Sequence, residues 1–186
     1  MRRLFLALPF ALLPLAVAYA HEDHDHDHDH AHGSLAAHDH GVARLNVALD
    51  GKTLELELES PAMNLVGFEH AATSDADKAK VAAVRAQLEK PLVLFNLANV
   101  AQCSESDQVL ESPLFDDKHE VKHEHEHSEI HAHYTFECEK PEQLSKLDLS
   151  SLFKAFPATQ KIQLQLIGSN GQQGLEATAA NASIPF

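Results

Sequence analysis

The chain has 186 residues, which suits one domain plus a leader, and its 28 acidic against 14 basic residues give a net charge of −14 with histidine neutral. So acidic a balance argues against nucleic acid and anionic membrane as partners and favours cations, although acidity also keeps a secreted protein soluble. Of fifteen histidines, eight lie between His21 and His40 and six between His119 and His133, and His70 alone stands outside.

The first twenty residues predict a secretory signal peptide. Arg2 and Arg3 form a basic start, Leu4 to Val17 is apolar, and Ala18-Tyr19-Ala20 is a small-x-small cleavage site. The apolar run is too short to span a bilayer, and Pro9 and Pro14 interrupt it. The mature chain is then expected to begin at His21, outside the cytoplasm, with a charge of −16 once two arginines and no acids are removed. No later segment is long enough to insert in a membrane. Two cysteines, Cys103 and Cys138, predict one disulfide in an oxidising compartment, closing a loop around the second histidine cluster.

Residues 21–37 alternate His and Asp with little apolar content, which predicts a disordered, metal-binding tract. Structure is expected from His38 onward, as a single α+β domain over 38–186. Residues 42–49 and 53–59 alternate with period two around Asp50-Gly51, predicting a hairpin. A two-residue turn at Asp50-Gly51 would pair Val47 with Leu54, Leu45 with Leu56 and Ala43 with Leu58; Gly51-Lys52 is the alternative turn. Arg44 would then oppose Glu57 and Asn46 oppose Glu55, with His38 and His40 extending near Glu57 and Glu59. Thr73 or Ser74 caps a predicted helix to about Lys90, with Val81, Val84 and Leu88 on one stripe. Pro91 opens a second short helix, to Asn96.

Cys103 to Glu111 reads as a strand, and 112–128 as a His/Glu-rich loop. Residues 129–138 alternate cleanly: Ile130, Ala132, Tyr134, Phe136 and Cys138 on one face, Glu129, His131, His133, Thr135 and Glu137 on the other. A short strand within Leu144–Leu149, a short Ser-capped helix from Ser150 to Phe156 and a strand at 161–167 follow. Asn170-Gly171 predicts a second hairpin that pairs Leu166 with Leu175 and Leu164 with Ala177. The sum is about six strands, one main helix and one or two short ones: an α+β fold whose mostly antiparallel sheet is covered by helices on one face.

Neutral imidazole suits Zn, Cu, Ni and Co, and carboxylates add hard oxygen and charge. In the flexible tract His21, His24, His26, His28, His30 and His32 can combine in many ways around an ion, with little geometric selectivity. His119, His123, His125 and His127 form a second such collector. His131 and His133 differ, because a strand projects both from one face and orients them by rigid backbone. Glu129 shares that face, and His38, His40, Glu69 and His70 are candidates for the remaining ligands. Intrinsic affinity puts Cu(II) above Zn and so does not choose the metal. Cu(I) sites use Met or thiolate, whereas the mature chain has only Met63 and two cysteines expected to be bridged. Zinc is the expected ion, with Ni and Co behind it.

The segment from His38 to His70, H-D-H-G-V-A-R-L-N-V-A-L-D-G-K-T-L-E-L-E-L-E-S-P-A-M-N-L-V-G-F-E-H, resembles the opening of the ZrgA family of periplasmic zinc uptake proteins. Ala101-Gln102-Cys103, the His-rich insert, the H-x-H strand ending in Tyr134-x-Phe136-x-Cys138 and Leu152-Phe153-x-x-Phe156-Pro157 extend the likeness. The resemblance implies a non-enzymatic periplasmic protein that captures zinc and assists its import by a zinc ABC transporter, with the importer or its solute-binding protein as partner. A storage or buffering protein for Ni, Co or Cu is the alternative. A zinc hydrolase is compatible with an H-x-H pair, but neither H-x-H-x-D-H nor a nucleophile-elbow motif occurs.

Overall fold

In the computed structural model, which describes residues 39–97, 99–115 and 128–186, the alternating segments become strands. The first two, β1 (Val42–Asp50) and β2 (Thr53–Pro61), form the expected hairpin. Their register differs from the Asp50-Gly51 prediction: Leu49 pairs with Leu54, Val47 with Leu56 and Leu45 with Leu58, while Asn46 opposes Glu57 and Arg44 opposes Glu59. The turn is Gly51-Lys52. A type I′ turn at Asp50-Gly51 needs positive φ at both residues, and only Gly51 (φ 59°) has it. The shift moves every partner by two residues, so each side chain keeps its face.

Helices α1 (Ala62–Leu65), α2 (Asp75–Leu88) and α3 (Pro91–Leu94) follow. Ser74 caps α2, its hydroxyl accepting from the Asp77 N–H at 3.1 Å. Val81, Val84 and Leu88 are the helix's buried residues, as its spacing implied. Helix α3 stops earlier than expected, because Asn96 takes a left-handed φ of 47° that asparagine tolerates.

Strands β3 (Cys103–Glu111) and β4 (Glu129–Cys138) pair antiparallel, and Cys103 and Cys138 face each other across them in a disulfide. The short strand is confined to β5 (Lys146–Asp148) and pairs with a C-terminal strand, β8 (Ser183–Pro185), in a second, two-stranded sheet. Helix α4 (Ser150–Ala155) is not capped by Ser150. Instead Asp148 Oδ1 accepts the Ser150 N–H at 2.9 Å, and that hydrogen bond holds the Asp148 carboxyl below the usual carboxylate range. A lowered folded-state value means that its stabilising effect is present above the ordinary aspartate pKa of ~3.9 and is lost as pH falls through the lowered value. Asp148→Asn is expected to reduce that acid-dependent loss in unfolding titrations between pH ~5 and ~2.

The second predicted hairpin forms between β6 (Lys161–Gly168) and β7 (Gly171–Thr178), again in a shifted register. Leu164 pairs with Leu175 and Ile162 with Ala177, whereas Leu166 meets Gln173. Ser169 and Asn170 make the turn, and the left-handed residue is the glycine after it, Gly171 (φ 91°). The described residues thus hold eight strands rather than about six. The main sheet has the order β3-β4-β2-β1-β6-β7 and is antiparallel except where β6 runs parallel to β1.

Helices cover one face of this sheet. Leu45, Leu54, Leu56, Leu58, Ile130, Tyr134, Phe136 and Ile162 are fully buried there with Leu88, Phe95 and Leu152. The Tyr134 hydroxyl and the Gln108 amide both donate to the Leu88 carbonyl at 3.0 Å, so β4 and β3 satisfy an oxygen that the end of α2 leaves without a helical partner. Burial pushes the phenol well above its ordinary pKa. Tyr134→Phe is expected to cost about 1 kcal/mol in urea unfolding, since Gln108 still serves the carbonyl. Removing Gln108 as well is expected to cost more than the two single losses together.

Candidate metal centre

The other face of the sheet is wet, and β4 runs through its acidic half. His131 lies between Glu59 of β2 and Glu111 of β3, and His133 between Glu57 and Val109. Two of these carboxylates are engaged across the hairpin: Arg44 contacts Glu59 at 3.3 Å and the Asn46 amide donates to Glu57 at 3.0 Å. The His131 ring points along its own strand, with Nε2 3.3 Å from Glu129 Oε2. Glu129 precedes His131 by two residues and His133 follows it by two, so this ring leans away from His133. The two imidazoles share a face of β4.

A second pair lies at the start of β1. His40 Nε2 is 3.0 Å from Glu69 Oε1, with the His40 side chain half exposed and that of Glu69 only 14% exposed. This corrects the expected neighbours of His40: they are not Glu57 and Glu59, because the chain turns at Gly41 (φ 87°) before β1 begins. His70 faces elsewhere. Its ring stacks on Phe68 at 4.6 Å and its Nδ1 lies 3.0 Å from the Ala71 carbonyl.

Helix α1 ties the two pairs to one end of the sheet. The Asn64 side chain, 2% exposed, accepts from the Gly41 N–H at 2.7 Å and donates to the Val42 carbonyl at 2.9 Å. The Ala62 N–H donates to the Ser128 carbonyl at 2.8 Å, and the Ser128 hydroxyl donates to the Glu69 carbonyl at 2.9 Å. The segment carrying His40 and the segment entering β4 at Glu129 are therefore pinned to the same four-residue helix. The far side of the His-rich insert is held too: Leu114 and Phe115 pack against the core, and the Arg85 guanidinium of α2 lies 5.6 Å above the Phe115 ring.

Among the described residues, no three His, Cys, Asp or Glu side chains come together as a group that could hold a metal ion. What they supply is two His–carboxylate pairs, Glu129–His131 and His40–Glu69. His21, His24, His26, His28, His30, His32, His38, His119, His123, His125 and His127 lie outside the described residues, as does the expected signal peptide. The anchoring roles of Asn64 and Ser128 were not read from the sequence. The run A-M-N-L-V offered a signal for the first, a lone amide inside an apolar stretch.

The insert contains the H-E-x-x-H spacing of zinc peptidases twice, at His119–His123 and at His123–His127. That spacing serves catalysis when a packed helix sets both imidazoles on one face. Between 116 and 128 the only apolar residue is Val121. Among the described residues no helix is long and apolar enough to cross a membrane.

Comparison with known proteins adds one finding. A search of curated proteins gives no match. The profile of the ZrgA family zinc uptake protein matches residues 37–186, from the end of the first histidine tract through every strand described above. The chain belongs to the ZrgA family of zinc uptake proteins.

Proposed function

We propose that this is a periplasmic, non-enzymatic zinc-binding protein that captures zinc and supports its import by a zinc ABC transporter. The observation that carries this reading is the gathering of His40–Glu69 and Glu129–His131 at the one end of the sheet where both histidine tracts meet the domain. His38 lies two residues before His40, and His127 lies one residue before Ser128. Either histidine is suited to replace a carboxylate of these pairs in a four-coordinate zinc site. His21 to His32 and His119 to His125 then act as collectors, raising the local supply of ions around a selective site.

Export is supported by the signal-peptide pattern and by the Cys103–Cys138 disulfide, which belongs to an oxidising compartment. Family membership favours zinc over Ni, Co or Cu as the ion carried. Imidazole must be neutral to ligate, so zinc affinity is expected to fall by more than about tenfold between pH 7.5 and pH ~5 in titration calorimetry. Equal affinity at the two pH values would show that histidine is not the ligand. A strain lacking the protein is expected to grow poorly, and to take up less radioactive zinc, only under zinc starvation. A defect appearing instead under nickel or cobalt excess would favour storage of those metals.

A further inference from the structure

We infer that Asn64 is a positioning residue of the zinc site: its buried amide sets the His40 turn so that the imidazole meets Glu69 beside the segment that carries Glu129 and His131. The inference rests on the reading of those four side chains as zinc ligands. It adds a residue that touches no ion.

Asn64 sits in an apolar stretch, on a helix too short to be stable alone, and is almost fully buried. A polar side chain in such a place is destabilising unless its hydrogen bonds are met. Those of Asn64 are met in one way only. Its oxygen takes the Gly41 N–H, and its nitrogen gives one hydrogen to the Val42 carbonyl and one to the Ser60 hydroxyl at 3.2 Å. Leucine, branched in the same way, would carry no such demand, but it would leave Gly41 and Val42 unheld on the α1 side.

That side matters because of what the turn carries. The Gly41 carbonyl is already fixed from β6, by the N–H groups of Gln160 and Lys161 at 2.8 and 2.9 Å. With its N–H fixed by Asn64, the peptide on each side of Gly41 has one orientation, and His40 is the next residue out. Glu69 is held separately, through Ser128 and Ala62. Without Asn64 the carboxylate would stay in place and the imidazole would lose its aim. This is the logic of groups that orient metal ligands from behind, whose removal costs about 10–100-fold in metal affinity.

The test uses the purified chain, with the tightest zinc-binding event isolated by competition with a chelator and the site geometry read from the visible spectrum of bound Co(II). Asn64→Ala is expected to weaken the tightest event about tenfold or more and to shift the Co(II) spectrum away from that of the unaltered chain. Ser60→Ala, which removes the third hydrogen bond of Asn64 but leaves both pins on Gly41 and Val42, is expected to change neither. Should Asn64→Ala fail to fold, Gly41→Ala moves the same turn while keeping the Asn64 amide, since a Cβ there meets the Gln160 side chain at 3.1 Å with φ at 87°. It is expected to weaken the tightest event in the same way. An unchanged affinity and spectrum in a folded Asn64→Ala or Gly41→Ala chain would overturn the inference while His40→Ala/His131→Ala still loses the tight event. If that double replacement leaves the tight event intact, the ligand reading fails as well, and the inference with it.

Discussion

Replacing His131 with alanine is expected to weaken the tightest zinc-binding event by tenfold or more, about 1.4 kcal/mol or above, whereas His133→Ala should cost much less. The two residues look equivalent in sequence, as an H-x-H pair on one face of a strand. The structure separates them. His131 is turned toward Glu129 at 3.3 Å, and Glu129 directly follows Ser128, which hydrogen-bonds to Glu69. His133 stands one row further along the sheet, exposed, between Glu57 and Val109, and Glu57 already accepts from Asn46. Chelator-competition titrations of the two single variants check the difference. Equal losses would mean that both imidazoles turn to the same ion on binding.

The disulfide carries the second large effect. Replacing Cys103 and Cys138 together with serine is expected to cost about 3–4 kcal/mol, because the bond closes a long loop that the unfolded chain would otherwise explore. For a chain of this size that corresponds to a fall in melting temperature of about 10 °C. Cys138 is almost fully buried and faces Cys103 across the β3–β4 pair, so the new hydroxyls would also meet an apolar surround. Zinc should still bind the folded variant with near-normal affinity at low temperature, since Glu129 and His131 are at the opposite end of β4 from Cys138. Thermal melts with and without zinc separate the two effects.

Much of the fold could be read from local pattern. The alternation in V-A-R-L-N-V-A-L and T-L-E-L-E-L-E named the faces of β1 and β2, and a register shift of two residues left those faces intact. The same holds for β6 and β7, where Gly171 follows the turn instead of lying within it. Turn chemistry narrows a hairpin to a few registers, and the choice among them depends on which residue accepts positive φ. The parallel contact of β6 with β1, and the pairing of β5 with β8, join segments distant in sequence, and no local pattern records them. Of the candidate ligands, His40 and Glu69 could each be named from the sequence, but not their pairing. It depends on a turn at Gly41 held by Asn64, Gln160 and Lys161, three residues from two remote segments.

On the proposed function, the two histidine tracts collect zinc for one site at the α1 end of the sheet. Zinc stoichiometry and affinity of three chains test it most directly: the intact protein, one lacking residues 21–37, and one carrying His131→Ala/His133→Ala. The deletion is expected to lose several weak binding events and keep the tightest. The double replacement is expected to keep the weak events and lose the tightest. The reverse pattern, with the tightest event lost on removing 21–37 and untouched by the strand replacements, would contradict the account.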